Sequence, residues 1–559
     1  MKKIYLLLFF SIFQFTVFCS NIEGKWLFES IRSERDSKEI NLKPISKGDF
    51  LKLNSNGTFE YEISKINLVA NGKWQINKNS LFLNYTKPSD TLRIYLITAK
   101  ENNLVLNEND VNYSFKKDTS RLYTTTAGFS FKNIVRGILG LITLLLIAFI
   151  CSRNRKKIDW QLVWKGLLIQ IVFAILILKV QFIQNGFEWL SSVFVTTLSF
   201  TRDGSLFLFG NIISNTDSFG FIFAFQVLPT ILFFSALTSL LFYYGILQKI
   251  VYLFALLMKK IMRLSGSESL AAAGNVFLGQ TESPLLIKPY IDQMTMSELL
   301  CLMAGGMATI AGGVLAAYIG FLGGSDPIQQ LFFAKHLLAA SVMSAPAAVV
   351  ASKILLPETE KVNEDMSISS EQIGTNALEA ISIGTTQGLK LAINVGAMLL
   401  VFIAFISMAN YFLNDFFGNI TGINVWIASI TNGQYEGLTL QFILGYTLAP
   451  LTWLMGVCSE DMVLVGQLLG EKTILNEFVA YVSLGELKAS GRFFEERSII
   501  IATYILCGFA NFASIGIQIG GIGSLAPKRR TDLSKLGILA LTAGTLACLF
   551  TAVIVGMIL

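Results

Sequence analysis

Charge is scarce in this chain. Only 15% of its 559 residues are Asp, Glu, Lys or Arg, while 53% are hydrophobic. A soluble enzyme of this size would carry more charge and fewer apolar runs of about 20 residues. Histidine is nearly absent: His336 stands alone, so no relay through two histidines exists, and it reads as a packed residue near a helix start. The six cysteines are Cys19, Cys151, Cys301, Cys458, Cys507 and Cys548. Apart from Cys19 they fall in or beside apolar segments without metal-ligand spacing, against a disulfide scaffold or a zinc site. No GxxxxGK(S/T) loop is present, so ATP is not the energy source within this chain. No nucleophile–base constellation points to an enzyme. The net charge of +6 does not suggest nucleic acid, since much of the basic excess lies in short loops at membrane edges, where it sets orientation.

What is there is a polytopic membrane protein with a small β-domain in front. Residues 1–20 carry two lysines and then an apolar run too short to span easily, a secretory signal pattern. Cys19 is a candidate lipid-attachment cysteine, although Phe18 before it is bulky for such a cleavage site. Residues 21–122 alternate apolar and polar in short runs such as GTFEYEI (57–63), SLFLNY (80–85) and TLRIYLITA (91–99), with turn signals at Asn56-Gly57 and Asn71-Gly72. Strands at such spacing predict a small antiparallel barrel or sandwich.

Eight spans are predicted beyond it, at about 133–151, 161–182, 219–244, 297–322, 331–355, 388–413, 497–523 and 536–559. Residues 184–210 read as an interfacial helix and loop, 246–264 as a helix along the inner surface, and 416–438 as an outer linker with a short helix. The basic clusters SRNRKKID (152–159) and PKRRTDLSK (527–535) both read as cytoplasmic. That places the β-domain and the C-terminus on the outer side of a bacterial inner membrane.

The stretch GNVFLGQTESPLLIKPYID (274–292) breaks the pattern. It gathers Asn275, Gln280, Thr281 and Glu282 among Gly274, Gly279 and Pro284. A carboxylate there costs about 2.5–3.5 kcal/mol on insertion scales, and the glycines and proline predict a broken helix facing a cavity or other protein. The second half has a counterpart. Residues 439–484 contain apolar runs broken by Pro450, Gly456, Ser459, Glu460 and Asp461, ending in Asn476 and Glu477. Glu460 and Asp461 read as a solvated hairpin tip. Two interrupted segments in corresponding positions predict re-entrant hairpins in an inverted repeat, with a midplane site. In the glycine-rich 305–313 segment Thr309 has a plain alternative, bonding a helix carbonyl.

Four motifs in order resemble the concentrative nucleoside transporter family: GQTESP at 279–284, ATIAG at 308–312, NEFVAY at 476–481 and GFANFASIGIQIGG at 508–521. The resemblance covers about 130–559; the GKW at Gly24 and Gly72 looks lipocalin-like and lies outside it. The resemblance implies that Gln280, Thr281 and Glu282 bind the nucleobase and that Val314 packs on it. Glu477, Asn511 and Ser514 would hold the ribose hydroxyls, with Phe509 lining the pocket. It implies a cation site from the side chains of Asn275 and Thr309 and the carbonyls of Leu278 and Ile310. It also implies a homotrimer in which a transport domain moves against a scaffold like an elevator. On that basis 131–266 would be scaffold and interfacial helices, 267–355 the first hairpin and transport helices, 356–438 a loop, scaffold helix and linker, and 439–559 the second hairpin and transport helices.

The chemistry agrees. An amide such as Gln280 donates to and accepts from a base edge, and a carboxylate such as Glu477 accepts from vicinal hydroxyls. Oxygen ligands suit a hard monovalent ion; the carboxylates flanking the pocket also admit a proton. The expected function is therefore a sodium- or proton-driven nucleoside symporter in the bilayer, not an enzyme, with no organic cofactor and no nucleic-acid partner. A passive facilitator or channel, or an envelope receptor working through its β-domain, are the alternatives. Purine against pyrimidine preference is not legible.

Overall fold

The computed structural model describes residues 24–33, 40–41, 49–53, 57–63, 68–77, 80–87, 91–100, 103–108, 111–117, 130–214, 222–324, 326–366, 374–431 and 433–559. The leader at 1–20, Cys19, the start of the third predicted span and part of the 357–376 loop lie outside the described residues. The chain divides into two compact units, Met1–Leu122 and Tyr123–Leu559.

The first unit is a barrel, not a sandwich. Its strands are β1 (Gly24–Ser33), β2 (Ile40–Asn41), β3 (Phe50–Leu53), β4 (Thr58–Ile63), β5 (Leu68–Asn77), β6 (Ser80–Lys87), β7 (Thr91–Lys100), β8 (Asn103–Glu108) and β9 (Val111–Lys117). Each strand from β3 to β9 pairs antiparallel with the next, and β1 pairs with both β3 and β9, so eight strands close on themselves with no open edge; β2 pairs with the end of β1. The alternation read from the sequence is the inward face. Leu81, Leu83 and Tyr85 on β6 face the core with Trp26, Leu51, Phe59, Leu104 and Phe115. Where polar atoms enter this core they pair: the Tyr85 and Tyr95 hydroxyls lie 3.4 Å apart, and burial pushes the Tyr85 phenol up to about 12.

In the second unit, among the described residues, seven helical segments are long and apolar enough to cross a membrane: Phe131–Cys151, Trp160–Lys179, Phe223–Tyr243, Met296–Gly323, Pro327–Leu355, Ala377–Thr421 and Pro527–Ile558. The seventh predicted span, 497–523, is divided: helix Glu496–Leu506 stops, residues 507–511 are unwound, and helix Phe512–Leu525 restarts. The 296–323 segment is likewise interrupted at Thr309–Ala311, between helices Met296–Ala308 and Gly312–Gly323. Residues 184–210 form no loop but one continuous helix, Gln181–Phe209. In the linker expected at 416–438 with a short helix, the structure has helical residues through 430, continuing from 411.

Two units of matching order form the interior. The first runs from hairpin 1 (Gly266–Phe277, then Ser283–Leu286 and Lys288–Ile291) through the broken 296–323 segment to the helix Pro327–Leu355. The second runs from hairpin 2 (Met462–Ile474 and Glu477–Ala489) through the broken 496–525 segment to the helix Arg530–Ile558. The apolar segments 296–323, 327–355 and 377–421 and the shorter helix Leu440–Leu454 lie between the hairpins in the chain. Helices 296–308 and 327–355 are buried along most of their length. Helix Ala377–Asn410, by contrast, turns Leu400, Ile403 and Phe405 outward as a lipid-facing helix does.

The base of hairpin 1 is clamped by charge. Lys353 pairs with Glu268 Oε1 at 2.5 Å and Glu358 Oε2 at 3.3 Å. Beside it Thr295 and Glu298 make a reciprocal capping box at the start of helix 296–308.

Candidate binding site between two hairpin tips

Hairpin 1 turns where its helix cannot continue. Helix 266–277 ends at Leu278, whose backbone is extended, and Pro284 lies in the first turn of the short helix that follows. Gln280, Thr281 and Glu282 therefore sit on non-helical backbone at the tip. Hairpin 2 turns at Leu475–Asn476, not at 450–461: Pro450 is accommodated inside helix Leu440–Leu454. Asn476 caps the returning helix by accepting from Val479 N–H at 2.9 Å, which delivers Glu477 as its first residue. Asp461 is not solvated. It is 1% exposed and accepts from the backbone N–H groups of Phe494 and Glu495 at 2.7 and 3.0 Å, pinning the loop before helix 496–506.

A continuous polar line joins the two tips. Gln280 Nε2 donates to Ser514 Oγ at 3.3 Å. Ser514 N–H donates to Asn511 Oδ1 at 2.9 Å, and Asn511 Nδ2 donates to Glu477 Oε2 at 2.5 Å. Asn511 is the N-cap of helix 512–525, so the break in the 496–525 segment is what aims it. Gln280 Oε1 is buried with no hydrogen-bond partner. Thr281 is exposed and Glu282 half-buried; Glu282 Oε2 accepts from Gly279 N–H at 3.2 Å, closing the tip on itself. Val314 and Phe509 are buried. Val314 lies one turn before Tyr318, whose hydroxyl stands beside the Glu477 carboxylate, and Phe509 lies in the unwound 507–511 segment.

The second group gathers at the first tip. Asn275 is fully buried; its Nδ2 donates to Leu302 O at 3.3 Å and its Oδ1 has no partner. Thr309 Oγ1 donates to Gly305 O at 2.9 Å, the plain role anticipated for it, which leaves the oxygen's lone pairs available. Leu278 and Ile310 lie in the two unwound segments, which touch: a Cβ built on Gly279 would be 3.4 Å from Ala311 Cβ, and one on Gly312 3.8 Å from Phe277 O. An orphaned amide oxygen, a hydroxyl and carbonyls freed by helix breaks are a donor set for a hard monovalent cation. Among the described residues no group of three or more His, Cys, Asp or Glu is placed to hold a metal.

The membrane unit matches family models described as the sodium-dependent nucleoside transporter N-terminus over 139–212 and C-terminus over 336–556, with a nucleoside-recognition gate model over 224–325 between them. An uncharacterized transporter of Haemophilus influenzae is 39% identical over 429 residues, 76% of this chain and 98% of that protein. The chain belongs to the sodium-dependent nucleoside transporter family. Solute carrier family 28 member 3 of Eptatretus stoutii is 42% identical over 441 residues, 76% of this chain. This chain spans 61% of that relative's length. The structure of CNTnw in an inward-facing substrate-bound state is 37% identical, with a TM-score of 0.68, covering 76% of this chain and 98% of that one. The barrel matches a lipocalin-like model over 22–106.

The chain also holds residues at this site that sequence patterns did not single out. Lys472 is fully buried, and its Nζ donates to Ile505 O at 2.9 Å and Cys507 O at 3.0 Å. It thus caps the C-terminal carbonyls of helix 496–506, where a cation is favoured. Tyr318 stacks on Tyr481, ring centroids 4.0 Å apart. Gln518 Nε2 donates to Met303 O at 2.9 Å, and its Oε1 is left without a partner. An ionisable Lys472 inside the apolar run MVLVGQLLGEKTI is a signal that alone could have found it.

Proposed function

We propose that this protein is a secondary active symporter that imports nucleosides with sodium as the driving ion. The observation that carries the reading is the polar line Gln280–Ser514–Asn511–Glu477, which connects two helix breaks from opposite repeats. In this reading Gln280, with its orphaned Oε1, reads the base edge together with Thr281 and Glu282, and Val314 packs on the base. Glu477, Asn511 and Ser514 bind the ribose hydroxyls beside Phe509. Glu477 accepts from the hydroxyls, a charge-assisted bond, and Asn511 orients it. Sodium is held by Asn275 Oδ1, Thr309 Oγ1 and the carbonyls of Leu278 and Ile310. Relatives named sodium/nucleoside cotransporters 1 and 2 of rat, each 38% identical, support the choice of substrate and ion. One cation entering down the membrane potential supplies about 2.3 kcal/mol per 100 mV.

The two repeats act as the mobile transport unit of a homotrimer in the bacterial inner membrane, with the barrel and C-terminus on the outer side. The remaining spans form the scaffold, and movement is of the elevator type. The test is uptake of labelled uridine into proteoliposomes under an inward sodium or an inward proton gradient. Accumulation above equilibrium under sodium, lost in Asn275→Ala, supports the symporter; equilibration without accumulation identifies a facilitator. Deleting 21–122 is expected to leave uptake intact, and loss of uptake in that variant would give the barrel a working part.

A further inference from the structure

One buried carboxylate of hairpin 2 lies outside both groups. Glu471 is 1% exposed, one turn before the hairpin 2 tip, on the side of its helix away from the bonds of Lys472. Gln467 Nε2 donates to Glu471 Oε1 at 3.1 Å, and Tyr435 hydroxyl donates to Gln467 Oε1 at 3.0 Å. Glu471 Oε2 is buried and makes no hydrogen bond, although the side chains of Ser483 and Gln441 stand next to it.

No counter-charge faces this carboxylate. Among the described residues it forms no ion pair. The nearest charge from the returning arm of the hairpin is Glu486, of like sign. Lys472 is committed to Ile505 O, Cys507 O and Cys548 Sγ. Lys488 bonds Leu322 O and Gln329 Oε1, and Arg492 bonds Gln434 O. From the preceding segment the facing titratable group is the neutral phenol of Tyr435. An ionised carboxylate buried with one amide donor and no counter-charge is costly, and a bound proton removes that cost. A metal ion would need several oxygens around Oε2, whereas a proton needs one acceptor, which the Ser483 hydroxyl carries.

The neighbourhood also reaches the helix that the transport reading assigns to the scaffold. Gln441 Oε1 accepts from Asn410 Nδ2 at 2.9 Å, and Asn410 Oδ1 accepts from Leu440 N–H at 2.9 Å. Asn410 ends helix 377–410. The protonation state of Glu471 is thereby placed at the junction between a moving hairpin and a static helix.

We propose that Glu471 is a proton site carried with the transport unit, separate from the nucleoside and sodium residues. A proton from water on the outer side joins Glu471 Oε2 and is released to water on the inner side, so each cycle moves one proton and no electrons. This inference rests on the symport reading above.

The test uses the full-length protein in proteoliposomes loaded with a pH-sensitive dye, with the membrane potential clamped and an inward sodium gradient. Uridine addition is expected to acidify the lumen in step with uridine uptake in the wild type. In Glu471→Gln the protons moved per uridine fall to zero. Ser483→Ala, which keeps the carboxyl and alters its neighbour, shifts the pH midpoint of wild-type uptake, and it serves where Glu471→Gln does not fold. Uridine uptake by the wild type without lumen acidification overturns the proposal, as does acidification undiminished in Glu471→Gln or a midpoint unmoved in Ser483→Ala. Absence of uridine uptake by the wild type under any gradient overturns the symport reading itself, and the proton site falls with it.

Discussion

Asn511 Nδ2 lies 2.5 Å from Glu477 Oε2, and the same Asn511 caps its helix through the Ser514 N–H. One side chain therefore fixes both the carboxylate and the start of helix 512–525. A hydrogen bond to a charged group contributes about 1.5–3 kcal/mol, or about 10- to 150-fold in affinity. Asn511→Ala and Glu477→Gln are each expected to weaken uridine binding by that order. Their effects should be strongly non-additive, since each removes the same pair. The check is a double-mutant cycle on uridine Kd; simple additivity would separate the two residues.

Asn275 Oδ1 is buried without a partner, while Nδ2 donates to Leu302 O, so Asn275→Ala removes a cation ligand and one buried hydrogen bond. It is expected to raise the sodium concentration needed for half-maximal uptake by about tenfold or more, and to lower stability in sodium-free buffer by about 1–3 kcal/mol, since Leu302 O loses that donor. Sodium titrations of uptake and of melting measure the two quantities. An unchanged sodium requirement removes Asn275 from the cation site.

Gly508 has φ +89, and a Cβ there would lie 2.5 Å from the carbonyl carbon of Ala308. Both conditions demand glycine: a left-handed backbone and room for none but a hydrogen. Gly508→Ala is expected to cost about 2–5 kcal/mol and to melt well below wild type in detergent. Gly516→Ala, on a helix face with nothing within 4 Å, is the matched control and should melt with the wild type.

Lys472→Met keeps volume and removes the ammonium. The carbonyl of Ile505 then loses its side-chain donor, at about 1–3 kcal/mol if left unsatisfied, while Cys507 O keeps the Cys548 thiol. The variant should lose thermal stability and, because the ammonium also acts electrostatically on Glu477, should weaken ribose recognition. Comparing uridine with an analogue lacking both hydroxyls separates these effects. Loss of binding confined to uridine reports on Glu477; equal loss for both reports on packing.

Hairpin 1 was legible because its break is written locally, in one glycine, four polar residues and a proline within the six positions 279–284. Hairpin 2 was displaced in the sequence reading by a louder signal. Pro450 and the Ser459–Glu460–Asp461 run look like a tip, yet the proline is absorbed in a helix and Asp461 is buried against two backbone amides. The true tip, Leu475–Asn476, has neither glycine nor proline and is marked only by an N-cap. Tyr318 and Gln518 were illegible for a different reason: each lies on a regular helix, and only the facing helix gives it meaning, whereas Glu471 stands beside Lys472 in the apolar run 462–474 and carries the same signal. The barrel's closure through β1 and β9 joins residues about 90 positions apart, which no local alternation records.

The contact of Gly508 with Ala308 also has a kinematic consequence. Each residue lies at the break of a different repeat, and the two backbones cross there with no side chain between them. A Cβ at Gly508 would meet the carbonyl oxygens of Met307 and Ala308 at 2.6 Å, so a lateral shift of one break against the other meets backbone directly, with no side chain to yield. Sliding of the two breaks past each other is therefore costly at that crossing.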